Sequence, residues 1–101
     1  MRYYYVYIMT NRPNGTLYVG VTGDLVRRVV EHRNDVRQGF TQKYQLHRLV
    51  YYEIHDSPSR AIWREKRIKT WLRAWKVRLI YGANPRWDDL TERLVDELPF
   101  T

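Results

Sequence analysis

Tyr7, Tyr18, Arg28 and His32 can each handle a phosphate, and all four fall within one stretch, VYIMTNRPNGTLYVGVTGDLVRRVVEH, residues 6–32. A phenol orients water or exchanges a proton, a guanidinium holds phosphoryl oxygens, and an imidazole titrates near neutrality. A fifth residue stands apart from its surroundings. Ala61, Glu65, Ile68 and Leu72 follow i, i+4, i+7, i+11 and share one helical face, so a carboxylate interrupts an apolar stripe. Left unpaired there, Glu65 would lose hydration or its charge, so it calls for a cation. Arg28, Lys69 one turn further on, or a metal ion would serve, and spacing alone favours an ion pair over a metal. Hydrolysing a phosphodiester takes a water, a base for it, positive charge for the developing oxyanion and help for the leaving oxygen. A carboxylate-bound Mg²⁺, Arg28, and Tyr7 or His32 would meet those needs together.

The elements that must carry these groups can be read from periodicity. Residues 3–9 and 16–22 are rich in Tyr, Val, Ile and Thr, and NRPNG between them supplies a hairpin loop. Alternation sets Tyr3, Tyr5, Tyr7 and Met9 against Tyr4, Val6 and Ile8, and Thr16, Tyr18, Gly20 and Thr22 against Leu17, Val19 and Val21. The aliphatic faces are expected to be the core faces, leaving a tyrosine-lined shallow floor on which Gly20 makes room for a ligand. A helix is expected over about 24–38, with Thr22 or Asp24 as N-cap and Gly39 as its stop. Leu25, Val26, Val29, Val30 and Val36 form its stripe, Arg28 and His32 lie one turn apart on its edge, and Arg33 has no explanation. A third strand spans 47–54. Ser57-Pro58 opens a helix running to Trp71 or Leu72, RAWKVRLIYG forms another, and a last helix covers about 88–98. The four tryptophans are read as packing residues, with Trp63 pointing away from the Glu65 face.

With 101 residues the chain has material for a single core, so 1–101 is read as a single domain. Lys and Arg number 18 against 11 Asp and Glu, a formal charge of +7 that suits a polyanionic partner, with nucleic acid the first candidate. The absence of cysteine excludes a disulfide framework and a thiolate zinc site. His47 and His55 lack metal-ligand spacing with His32. No apolar run reaches membrane-spanning length, and the N-terminus lacks a signal-peptide cleavage site; a cytoplasmic protein with no membrane partner is expected.

Tyr5-Val6-Tyr7, Tyr18-Val19-Gly20, Arg28 with His32, and the lone helical Glu65 together resemble the GIY-YIG nucleases. The first triplet departs from the family name in Tyr5 for Gly and Val6 for Ile; the second changes only Ile to Val. The likeness runs from about Tyr3 to Leu90 and includes GTLYVGVT, REKRIKTW and the NPRWDDL tail seen in short stand-alone bacterial members. The resemblance implies a small α+β fold, a three-stranded antiparallel sheet flanked by helices, and metal-dependent cleavage of DNA. It implies Tyr7 as general base or water-positioning group, Tyr18 lining the same site and Gly20 leaving room. Arg28 would stabilise phosphoryl charge, His32 would assist proton transfer or hold Tyr7, and Glu65 would hold a single Mg²⁺ or Mn²⁺. Asn84, ahead of Pro85, would border the site.

The resulting expectation is an endonuclease acting on branched, nicked or distorted DNA in repair or recombination, with a protein partner supplying specificity. Arg37, Lys43, Arg48 and Arg60 are its candidate phosphate contacts. A non-catalytic nucleic-acid-binding module is the alternative. A protein-interaction adaptor with exposed aromatics is a third, which explains neither the charge nor the constellation.

Overall fold

Alternating β-branched and aromatic residues on both sides of the Asn14-Gly15 loop pair as an antiparallel hairpin, β1 (Tyr4–Thr10) with β2 (Leu17–Thr22). The computed structural model describes residues 2–34 and 43–97. β3 (Arg48–His55) pairs antiparallel with the other side of β1, giving the order β2-β1-β3. Among the described residues, helices α1 (Leu25–Arg33), α2 (Pro58–Thr70), α3 (Arg73–Ala83) and α4 (Thr91–Glu97) flank this sheet. The architecture is the expected α+β fold, a three-stranded antiparallel sheet flanked by helices.

Burial differs from the expectation in one consequential way: both sheet faces are cores. Val6, Ile8 and Val19 pack with Ala61 and Ile68 of α2 and Ile80 of α3. On the other face Tyr5, Tyr7 and Met9 pack with Leu25 and Val29 of α1, and with Leu46, Leu90 and Leu94. The tyrosine floor is therefore roofed, because a phenol ring supplies as much apolar surface as an aliphatic chain when its hydroxyl finds a partner. The α1 stripe is narrower than expected. Leu25, Val29 and His32 are buried, while Val26 and Val30 face solvent.

Local chemistry sets the helix ends. The Asp24 side chain accepts from the Arg27 N–H to start α1, and Asn34 closes it five residues before the expected stop. Val36 and Gly39 lie outside the described residues. Arg33 pairs with Asp89 and ties α1 to the segment before α4, which accounts for its place on the helix. Ser57 caps α2. At Trp71 and Leu72 the chain turns extended, so Leu72 leaves the helical face it was assigned to and is 68% exposed. One edge of the sheet is covered: Arg48 donates to the Trp87 carbonyl at 3.1 Å, and the Leu90 N–H to the Leu49 carbonyl at 2.8 Å. β2 forms the other edge.

Candidate active site

Strand register places Tyr7 directly across from Gly20 and Met9 across from Tyr18. A Cβ at position 20 would lie 2.5 Å from both Cζ and Oη of Tyr7, so the notch left by glycine is filled by the chain's own phenol. Gly20 therefore shapes the seat of Tyr7 and offers no space to a ligand, a correction to its expected role. α1 brings His32 over the same face, with the Tyr7 hydroxyl 3.1 Å from its Nε2. The Tyr18 ring completes the group, its centroid 5.2 Å from that of His32 and 6.2 Å from that of Tyr7. Tyr7 and His32 are each only 1% exposed.

Burial dominates the electrostatics of this pair. It raises the Tyr7 phenol far above its ordinary range, with Tyr18 adding to the effect and Arg28 pulling the other way without overcoming it. Burial, aided by Arg28, lowers His32 to about 4, so the imidazole is neutral at pH 7. Its Nδ1 is buried with no hydrogen-bond partner among the described residues. The resting pair is a phenol against a neutral imidazole, an arrangement that positions a water more readily than it presents a phenolate.

Arg28 is half-buried on α1 and lies 3.3 Å from Glu31 one turn along. It lines a polar cleft of about 270 Å³ with Arg2, Thr22, Asp24, Arg27 and Glu31. Arg2 and Arg27 were not singled out from sequence. The signal for Arg2 lies in the hairpin register: Tyr5 pairs with Thr22, so residues ahead of Tyr5 run beside the start of α1.

Glu65 is buried on α2 beside Ala61 and Ile68, whose packing partners belong to the sheet face opposite Tyr7. Its Oε2 lies 2.9 Å from Lys69 Nζ, the i, i+4 pair that spacing favours. Among the described residues no group of three or more His, Asp or Glu comes together. A lone carboxylate does not suit zinc. It does suit Mg²⁺, which keeps several waters and takes one or two carboxylates plus phosphate oxygens.

The remaining expected contacts divide. Arg37 lies outside the described residues. Lys43 is exposed, its ammonium over the Tyr44 ring, and Arg60 is exposed in the first turn of α2. Arg48 donates one N–H to the Trp87 carbonyl and so helps secure the sheet edge. Asn84 is buried and structural. Its Nδ2 donates to the carbonyls of Val50 (3.0 Å) and Asp88 (2.8 Å), and its Oδ1 accepts from the Asp88 N–H (3.1 Å). The need arises at Val50, the extra residue where the β1–β3 register shifts between Ile8/Tyr51 and Met9/Leu49.

Comparison with known proteins bears on the family and the fold. The GIY-YIG catalytic domain profile matches residues 3–78. A UPF0213 protein of Staphylococcus saprophyticus is 36% identical over 77 residues, covering 76% of this chain and 93% of the relative. A UPF0213 protein of Staphylococcus aureus shows the same identity and coverage. The solution NMR structure of a UPF0213 protein from Bacillus halodurans superposes with a TM-score of 0.56 at 27% identity, covering 89% of this chain and 95% of that one. With its catalytic-domain match spanning β1 to α3 and its sheet and helices shared with a solved relative, the chain belongs to the GIY-YIG family of nucleases.

Proposed function

We propose that the protein is a divalent-metal-dependent endonuclease that hydrolyses DNA phosphodiester bonds, directed by DNA structure and serving repair or recombination. The observation that carries this reading is the buried Tyr7–His32 hydrogen bond, seated in the Gly20 notch with Tyr18 against it and Arg28 beside it. A core needs no such polar pair on its tyrosine face, and a buried His32 Nδ1 without a partner among the described residues is a cost that packing alone would not select.

In this reading the attacking water reaches the Tyr7 hydroxyl, buried at rest, when DNA binds, and the hydroxyl orients it. As its oxygen takes a proton from that water, its own proton passes to His32 Nε2, the neutral acceptor 3.1 Å away. The phosphate's negative charge, once bound, favours the imidazolium that burial and Arg28 oppose at rest. Arg28 meets the charge that develops on the phosphoryl oxygens as the P–O bond to the leaving group breaks. Glu65, on the α2 side of the sheet and so across it from Tyr7, is the residue that would hold Mg²⁺ or Mn²⁺, with Lys69 exchanging its hold on the carboxylate for solvent or a phosphate. An ion held there would supply Lewis-acid stabilisation and assistance to the leaving oxygen. Arg2 and Arg27, sharing the cleft with Arg28, give the phosphate backbone further positive charge.

The test is cleavage of labelled duplex, nicked, flapped and four-way-junction DNA in Mg²⁺ or Mn²⁺. Wild type is expected to cut at least one of these shapes, with activity lost in EDTA and reduced at least about 100-fold in Glu65→Ala. Glu65→Ala cutting as fast as wild type would remove the metal assignment. Binding without cleavage under either metal would leave the non-catalytic module, for which the Glu65–Lys69 ion pair alone accounts equally well.

A further inference from the structure

Apart from Glu65, the chemistry considered so far leaves the α2–α3 side of the molecule unused. Where α2 gives way to α3, an open cleft of about 500 Å³ is lined by Tyr51, Trp71, Trp75, Arg78, Leu79 and Gly82. Its floor is apolar. Trp75 is 51% exposed, a large apolar surface to leave in water, and it meets the half-buried Trp71 edge-on at 6.3 Å. Arg64 lies over the Trp71 ring at 5.2 Å. Further along α2 the same pairing recurs, with Trp63 60% exposed and the Arg67 guanidinium 5.2 Å from its ring.

The charge around this floor selects its occupant. From Pro58 to Ala83 the chain carries eight Lys and Arg and one carboxylate, Glu65. Lys69 and Arg64 have acidic partners, but Arg78 at the cleft and Lys76 beside it have none among the described residues. A second copy seated here would bring like charges face to face, at a cost of several kcal/mol. A flat aromatic ring joined to a phosphate fits both features at once, since indoles stack on any base and Arg adds a cation–π contribution. A paired base keeps both faces stacked within its duplex, so the fitting form is an unpaired one.

We propose that this cleft is a stacking site for an unpaired nucleotide of a DNA strand, with Trp75 and Trp71 taking the base and Arg78 the adjoining phosphate. The choice of DNA rests on the endonuclease reading; the aromatic and cationic geometry does not. The cleft lies on the sheet face opposite Tyr7, so a strand held here would wrap from the cleavage site around the molecule. The substrate class that follows is DNA with a single-stranded arm or gap.

The test is fluorescence anisotropy in EDTA, where no cleavage occurs, using a labelled oligo(dT) of about ten nucleotides, a blunt duplex, and an oligo(rU) competitor. Two variants are compared with wild type. Trp75→Ala removes the exposed platform. Gly82→Leu adds bulk at the cleft from a helical position where an added Cβ meets nothing within 4 Å. Both are expected to keep the wild-type circular dichroism and melting temperature, to weaken oligo(dT) binding about ten-fold and to change duplex binding less than about two-fold. Quenching of tryptophan fluorescence by oligo(dT) is expected in wild type and reduced in Trp75→Ala. Unchanged oligo(dT) binding in both variants overturns the proposal, as does an equal loss for duplex and single strand. Oligo(rU) binding more tightly than oligo(dT) overturns the assignment to DNA. Self-association of wild type that Gly82→Leu abolishes, with oligo(dT) binding intact, reassigns the cleft to a second copy. Variant-sensitive oligo(dT) binding alongside failed cleavage of the DNA panel would uphold the cleft and sink the nuclease. Cleavage alongside variant-insensitive binding would do the reverse.

Discussion

At position 20 a single hydrogen in place of a methyl decides where Tyr7 can lie. Gly20→Ala sets a Cβ 2.5 Å from the phenol of a ring with no room to retreat. Overpacking of this kind costs about 1–3 kcal/mol. The variant is expected to lower the urea midpoint and to lose cleavage more severely than its stability loss explains, because the displaced hydroxyl leaves His32. Wild-type activity in a folded Gly20→Ala protein would show that the Tyr7 position is immaterial. His32 makes a second prediction, in pH. Unfolded, the imidazole takes up a proton near 6.5; folded, burial first and Arg28 next hold it to about 4. Between those values the unfolded chain binds more protons, so stability is full above about pH 6.5 and falls as the pH drops toward 4, by up to about 3 kcal/mol. Glu31 and His47 also act on this ring, in opposite senses. Glu53 and Asp89 titrate lower. Despite burial, Arg64 and Tyr51 keep the first below its ordinary value, and Thr91 and Arg33 the second. Melting temperatures measured from pH 4.5 to 7 are expected to slope in wild type and to flatten in His32→Gln; parallel curves would contradict this origin.

Elements hold together here through polar clamps at their irregular points. Asn84 joins the end of α3 to the β3 bulge and to the turn at Asp88 with three hydrogen bonds. Removing it strands the Val50 carbonyl in the interior, so Asn84→Ala is expected to destabilise the protein by about 2–4 kcal/mol in chemical unfolding. Its effect on cleavage should follow the folded fraction. A folded Asn84→Ala protein with a raised KM would return Asn84 to the substrate site. The Arg33–Asp89 pair and the Leu90–Leu49 bond play the same part between α1, β3 and α4.

For the whole molecule, charge sets the terms of encounter with DNA. A net +7, with cations in the Arg28 cleft and along α2 and α3, predicts binding driven by counterion release. Affinity for duplex DNA is expected to fall at least about ten-fold between 50 and 200 mM salt, with little dependence on base sequence. Titrations at several salt concentrations on two unrelated duplexes check both points. A flat salt response would mean that contacts other than phosphate hold the complex.

Much of this was legible from the residues alone. Strand alternation and the Asn-Gly loop sufficed for the hairpin, Ser57-Pro58 for the start of α2, and the i, i+4 spacing for the Glu65–Lys69 pair, because each depends on neighbours within a turn or two. The triplets and their companions likewise pointed to the nuclease family that the comparisons show. What covers each face was not legible. Tyrosine is apolar along its ring and polar at its tip, so whether Tyr7 lines an open floor or a roofed pocket depends on where α1 and Leu90 pack. For the same reason Asn84 and Arg48 read as substrate contacts, whereas the structure holds Asn84 at the Val50 bulge and engages one Arg48 N–H at the Trp87 carbonyl. Hydrogen-bonding capacity is a property of the residue, but its partner is chosen by chain segments 34 to 39 positions away, and only the tertiary structure brings those together.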